Sequence, residues 1–157
     1  MGGSFRPLVT LFGLFLGFWV SAASAVEILP GPVPAYVLRV VDGDTLMVRA
    51  RIWPGHHVET LVRLKGVDAP ELKARCAKER ALANEARDFL EQRAAGLPVW
   101  LSDIHFGKYA GRVLARVAVD SGTDLGAQLL AVGLARTYVK GPRLSWCEGM
   151  HSTRARP

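Results

Sequence analysis

The residues of this chain best suited to chemistry fall in two short stretches. In Val62-Arg63-Leu64-Lys65-Gly66-Val67-Asp68-Ala69-Pro70-Glu71, an alternating segment runs into a turn that carries an arginine and two carboxylates. Leu61, Arg63 and Lys65 alternate with Val62 and Leu64, the pattern of a strand with one exposed and one buried face. Pro70 restricts Ala69 to extended backbone, so Asp68 and Glu71 leave the sheet on a loop that a rigid scaffold holds. The second stretch, Val40-Val41-Asp42-Gly43-Asp44-Thr45-Leu46, reads as two apolar strands meeting at an Asp-Gly turn. If that hairpin lies beside the first strand, Asp44 joins Asp68 and Glu71 in one acidic pocket with Arg63 at its edge. Grouped carboxylates offer hard oxygen ligands to a divalent cation, and an arginine offers phosphate planar, charge-assisted hydrogen bonds. Each piece also has a plainer reading. An Asp-Gly-Asp turn is by itself only a turn, and an arginine on a strand is ordinarily a solvated face residue.

The elements that must position these groups follow from periodicity. Strands are expected over 35–41, 45–53 and 58–65, forming an antiparallel meander whose bends carry Gly43, Gly55 and Gly66. The Pro54-Gly55-His56-His57 run interrupts it and reads as an exposed polar turn rather than a metal site. From about 75 to 95 the period becomes helical, with Leu82, Ala86 and Phe89 on the apolar stripe and Gly96 and Pro98 as the stop. Strands over 99–104 and 112–119 follow, separated by a loop that holds Lys108 and Tyr109. Asp124 then caps a helix over 125–132 that Gly133 ends. This order is mainly β with α: a five-stranded OB-like β-barrel with packed helices, an architecture compatible with oligonucleotide or oligosaccharide binding. Fold analogy alone does not make an enzyme.

The chain has 157 residues, room for one domain, and its 50% hydrophobic content is enough for a core. Lys and Arg outnumber Asp and Glu by 20 to 14, which favours an anionic partner, nucleic acid or a membrane surface. Residues 1–25 read as a secretory signal peptide: Arg6 is basic, Leu8 to Val20 is nearly unbroken apolar sequence, and Ala23-Ser24-Ala25 has the small-x-small form of a cleavage site. The apolar run is shorter than the roughly 20 residues a bilayer requires. The alternative is an uncleaved anchor. Residues 26–34 form a proline-rich leader, 35–147 the folded domain, and 148–157 a flexible tail. Export implies a periplasmic or secreted protein. Cys76 and Cys147 then permit one intramolecular bond, which an oxidising compartment lets persist and which the exported form is expected to contain; separate, unpaired cysteines are the alternative. Two cysteines give no support to structural zinc.

Four motifs, taken in order, resemble the staphylococcal nuclease (thermonuclease) family: Val41-Asp42-Gly43-Asp44-Thr45, Arg63 through Glu71, Lys108-Tyr109-Ala110-Gly111-Arg112, and Gly133-Leu134-Ala135-Arg136-Thr137-Tyr138. The resemblance implies Ca²⁺-dependent hydrolysis of DNA and RNA phosphodiester bonds to 3′-phosphate products. It assigns Asp44, Asp68 and the Ala69 backbone carbonyl to the metal. Glu71 becomes the group that activates or orients water, Arg63 and Arg112 the phosphate-binding arginines, and Lys108, Tyr109 and Tyr138 substrate contacts. The chain departs from the family pattern at Ala69, where a threonine is expected. It also has one additional residue between Tyr109 and the Gly-Arg pair, and lacks a second tyrosine after Tyr138. The expectation is therefore a monomeric Ca²⁺-dependent nuclease acting on single- or double-stranded DNA and RNA, without stable membrane association once the signal is removed. Two competing readings are a catalytically silent OB-like module that holds nucleic acid through its basic surface, and an envelope structural protein.

Overall fold

The computed structural model describes residues 27–107, 111–119 and 122–147. The expected signal peptide, the tail, Lys108 and Tyr109 lie outside the described residues.

Strands β1 (Val33–Asp42), β2 (Thr45–Trp53) and β3 (His56–Leu64) form the expected antiparallel meander. The β2–β3 turn is tighter than anticipated. Only Pro54 and Gly55 lie between the strands, Gly55 takes φ +76°, and Trp53 pairs with His56. That positive φ is open to glycine at little cost, so His56 and His57 become strand residues, both exposed. After α1 (Ala77–Ala94), β5 (Pro98–Phe106) pairs antiparallel with β1, and β6 (Arg112–Val119) pairs antiparallel with β5. A parallel ladder from Leu61↔Arg112 to Leu64↔Ala115 joins β6 back to β3, closing a five-stranded mixed barrel of the OB type. A short β7 (Thr123–Asp124) extends the edge of β6, and α2 (Leu125–Ala131) follows, its Ala127 N–H donating to the Asp124 Oδ1 cap at 2.7 Å. A small second sheet, β4 (Val67–Asp68) against β8 (Arg136–Thr137), was not expected, because two-residue strands leave no periodicity to read.

Alternation places Val37, Leu46, Val48, Val62, Val99 and Val117 inside the barrel, each nearly inaccessible. Fully burying one such side chain is worth about 1.5–3 kcal/mol. The inward stripe of α1 is Glu79, Ala83, Ala86, Leu90 and Ala94, one position round from the expected Leu82–Phe89 line. The reason is size: three alanines on this face let the helix approach the β1–β2 turn. A Cβ on Gly43 would come within 2.8 Å of the Ala86 Cβ. Phe89 packs at the margin of the core with the Arg93 guanidinium over its ring.

Candidate nucleic-acid cleft

The seam where β3 meets β6 opens into a cleft of about 590 Å³, walled on the far side by the segment after β8. Four arginines line it (Arg63, Arg112, Arg136 and Arg143), along with Asp68, Glu71 and Tyr138. The structure thus brings Arg63, Arg112, Asp68, Glu71 and Tyr138 to one place, as the sequence led us to expect. Arg63 and Arg112 belong to the paired strands β3 and β6, which accounts for their proximity despite their separation along the chain.

Asp44 sits below the cleft floor at 3% exposure. Its Oδ1 accepts from Arg63 Nη1 at 2.6 Å and from the Thr45 hydroxyl at 3.0 Å, and its Oδ2 accepts from the Ala69 N–H at 3.4 Å. Burial raises its carboxyl from 3.8 to about 7. The Arg63 guanidinium opposes that rise, the nearby Asp42 charge adds to it, and the Thr45 hydroxyl offsets a further part.

The other acids hold a guanidinium of the protein itself. Arg143 Nε donates to Asp68 Oδ1 at 3.1 Å, Nη2 to the Ala69 carbonyl at 2.6 Å, and Nη1 pairs with Glu71 Oε1 at 3.0 Å. Its Nη2 also stands 3.5 Å from Glu79 Oε1, which in turn accepts from the Glu71 N–H at 3.2 Å. Glu79 is buried at the start of α1 because it occupies the helix's inward stripe.

A disulfide fixes this arrangement. Cys76, the N-cap of α1, is bonded to Cys147 with a Cα–Cα distance of 6.1 Å, within the range that closes without rearrangement. The bond lies just beyond Arg143 and tethers the wall segment to the helix. Cys147 Sγ lies 3.6 Å from Glu79 Oε2. A disulfide sulfur carries no proton, so this is a packing contact. Between these points Trp146 is buried, and the Arg136 guanidinium stacks 3.7 Å from its ring centre while donating to the Ser145 carbonyl at 3.0 Å.

This geometry corrects the expected Ca²⁺ site. Among the described residues, the one group of three His, Cys, Asp or Glu side chains with ligand atoms within 4.8 Å of one another is Cys76, Glu79 and Cys147. Two of its members are joined in the disulfide and have no thiolate to offer a metal. Asp44, Asp68 and Glu71 do not form such a group. The ligands assigned to the ion are also committed elsewhere, Asp44 to Arg63, and Asp68 and the Ala69 carbonyl to Arg143. The residues present therefore do not fit Ca²⁺. The readings of a calcium cofactor, a metal-binding protein, a metal-dependent hydrolase and a 3′-phosphate-forming nuclease fall with it.

Sequence reasoning missed Arg143, Glu79, Arg136 and Trp146. Glu79 had a usable signal, since it lies four residues before Ala83 in the stripe that continues through Ala86, Leu90 and Ala94. Arg143 lies in an aperiodic segment, and only its place four residues before Cys147 ties it to this site.

Residues 61–147 match the family model described as Staphylococcal nuclease homologue. No curated protein matches the chain. The family match runs from the start of the β3–β6 ladder to the disulfide, and so contains the whole cleft wall. Among the described residues no helix is long and apolar enough to cross a membrane.

Proposed function

The chain belongs to the staphylococcal nuclease homologue family, and from that premise we propose that it is a catalytically silent OB-like module that holds single-stranded nucleic acid in the arginine-lined cleft. The observation that carries this reading is Arg143. A guanidinium engages Asp68, the Ala69 carbonyl and Glu71 together. It occupies the place between these acids and offsets part of their charge, and Arg63, Arg112 and Arg136 line the same cleft. Guanidinium groups bind phosphate oxygens in planar, often bidentate fashion, and Tyr138, 57% exposed at the rim, offers a ring for a base to stack on. A cleft of about 590 Å³ has the size of a small-ligand site and suits a short run of a single strand better than a duplex.

We further place the mature protein in the periplasm or outside the cell, as a single domain over 35–147 that functions as a monomer. The signal-like residues 1–25 and the disulfide, which persists in oxidising compartments, support that placement.

The test is fluorescence anisotropy of labelled single-stranded DNA and RNA against the purified protein across a salt series, with the same oligonucleotides incubated with Ca²⁺ and run on a gel. Three phosphate contacts would give a log–log salt slope of about −2. Intact oligonucleotide and salt-sensitive binding weakened by Arg112→Ala are expected. Ca²⁺-dependent cleavage, or binding indifferent to both salt and Arg112, overturns the reading.

A further inference from the structure

The cleft does not account for the opposite side of the barrel. In the closed strand order β3-β2-β1-β5-β6, β1 is the strand farthest from the β3–β6 seam. The outer surface of β1 and its two neighbours carries three exposed aromatic side chains, one per strand: Trp53 on β2 at 70%, Tyr36 on β1 at 48% and Trp100 on β5 at 45%. Register ties two of them, since Trp100 is the ladder partner of Pro34, two residues from Tyr36 on β1, while Tyr36 is the partner of Arg49. Trp53 and Arg51 line a groove of about 630 Å³ that reaches Pro34.

Tryptophan is costly to leave in water, and a scattered exposed ring needs no explanation, but three on adjoining strands form a surface that calls for a partner. We infer that this face is a second platform for single-stranded nucleic acid, on which successive bases stack against Trp53, Tyr36 and Trp100 while the backbone runs past Arg51 and Arg49. The inference rests on the nucleic-acid reading above and extends it to a surface that shares no residue with the cleft.

Two features select this occupant. The rings are interleaved with guanidinium groups, the combination that single-strand binders use to hold bases by their π faces and the backbone by charge. Charge complementarity points the same way. From Ala50 to Val58 there is no acid, and among the described residues Arg51 has no ion-pair partner, whereas Arg49 is held by Glu59 at 2.7 Å. A guanidinium without a carboxylate beside exposed rings matches an anionic polymer with planar faces. Because the platform and the cleft lie on opposite sides of the barrel, one strand long enough to reach round it occupies both.

The experiment compares oligo(dT) of about 6 and about 24 nucleotides, measured by anisotropy and by quenching of tryptophan fluorescence, on wild type, on Trp53→Ser/Tyr36→Ser/Trp100→Ser and on the ring-retaining Trp53→Phe/Tyr36→Phe/Trp100→Phe. With three stacked bases at stake, the long oligonucleotide should bind the serine variant at least about ten-fold more weakly, while the phenylalanine variant stays within about three-fold of wild type. The short oligonucleotide cannot bridge the two surfaces, so its complex with the cleft should persist in all three proteins. Unchanged affinity of the long oligonucleotide for the serine variant overturns the platform and leaves the cleft reading intact. Loss of the short-oligonucleotide complex in Arg112→Ala, with the length-dependent gain retained, tests the cleft separately. Failure of every oligonucleotide to bind overturns both. If vesicles of phosphatidylglycerol bind and lose affinity in the serine variant while oligonucleotide binding does not change, the face is a lipid surface and the inference is wrong. Concentration-dependent dimerisation abolished by the same substitutions overturns it in favour of a second copy of the chain.

Discussion

Replacing Arg143 by alanine removes the one group that holds the cleft acids together. The lost contacts are Asp68 at 3.1 Å, the Ala69 carbonyl at 2.6 Å and Glu71 at 3.0 Å. A hydrogen bond to a charged group is worth about 1.5–3 kcal/mol where solvent is excluded. Here the arginine side chain is 36% exposed and Glu71 59%, so the Glu71 pair contributes little, and screening cuts the rest. Glu79 keeps the Glu71 N–H as a donor at 3.2 Å, which spares it from being left wholly unpaired. The net loss of unfolding free energy should therefore be about 1–2 kcal/mol, most of it from the Asp68 and Ala69 contacts. Arg143→Lys should recover less than half, since an ammonium cannot span a carboxylate and a carbonyl in the fork geometry of a guanidinium. Urea unfolding of the oxidised proteins at pH 7, with equal slopes in denaturant, measures both. The same alanine variant leaves the two carboxylates that line the cleft, Asp68 and Glu71, without this counter-charge, so its affinity for single-stranded DNA should fall several-fold. Millimolar Ca²⁺ should leave the melting temperature of the wild type unchanged. A stability loss in Arg143→Ala below about 0.3 kcal/mol, or full rescue by lysine, would refute the role given to this side chain.

Other perturbations test the surroundings. Cys147→Ser opens a loop spanning 71 residues and should cost about 2–4 kcal/mol, together with the near-ultraviolet circular dichroism of Trp146; a loss under about 1 kcal/mol in urea would mean that the wall segment is held without the bond. Asp44 has a folded-state pKa raised from 3.8 to about 7, so the folded protein binds this proton more tightly than the unfolded chain. Its contribution is fully present below about pH 4 and is lost as the pH rises towards 7, so the stability of wild type relative to Asp44→Asn should decline across that window; a flat difference would show that Arg63 cancels the effect of burial. Gly43→Ala forces a Cβ to 2.8 Å from the Ala86 Cβ and 3.1 Å from the Ala69 Cβ and should destabilise by about 1–3 kcal/mol, with Ala86→Gly relieving part of it; no loss would mean that α1 can move away freely.

Much of the scaffold was legible because it is written in local periods. Alternation from Leu61 to Lys65 and from Val113 to Val119 marked strands with one buried face, Gly96 and Pro98 marked the end of α1, and Asp124 marked the start of α2. The two cysteines and the export-like leader together pointed to the bond that the structure contains. The gathering of Arg63, Arg112, Asp68, Glu71 and Tyr138 was also legible, because these residues sit at strand ends or in motifs whose order a family resemblance supplies. What the acids do there was not. Their state depends on Arg143, which reaches them across 75 positions of sequence from a segment with no periodic pattern. A carboxylate trio reads the same on paper whether its counter-charge is an ion or a distant arginine. Only the fold distinguishes the two.

The parallel ladder that closes the barrel also sets the order in which the chain can become safe from aggregation. β3 is complete at Leu64, but the partner that covers its edge begins at Arg112, beyond α1 and all of β5. Until that later strand arrives, the three-stranded meander keeps one row of backbone donors and acceptors open to any other strand in reach. A chain interrupted anywhere between these points cannot close, however good its local structure. Closure joins segments far apart in sequence and is therefore the slow, entropy-limited step of folding. Fragments ending before about residue 115 should accordingly accumulate as strand-paired oligomers, whereas the closed barrel presents no such edge at this seam.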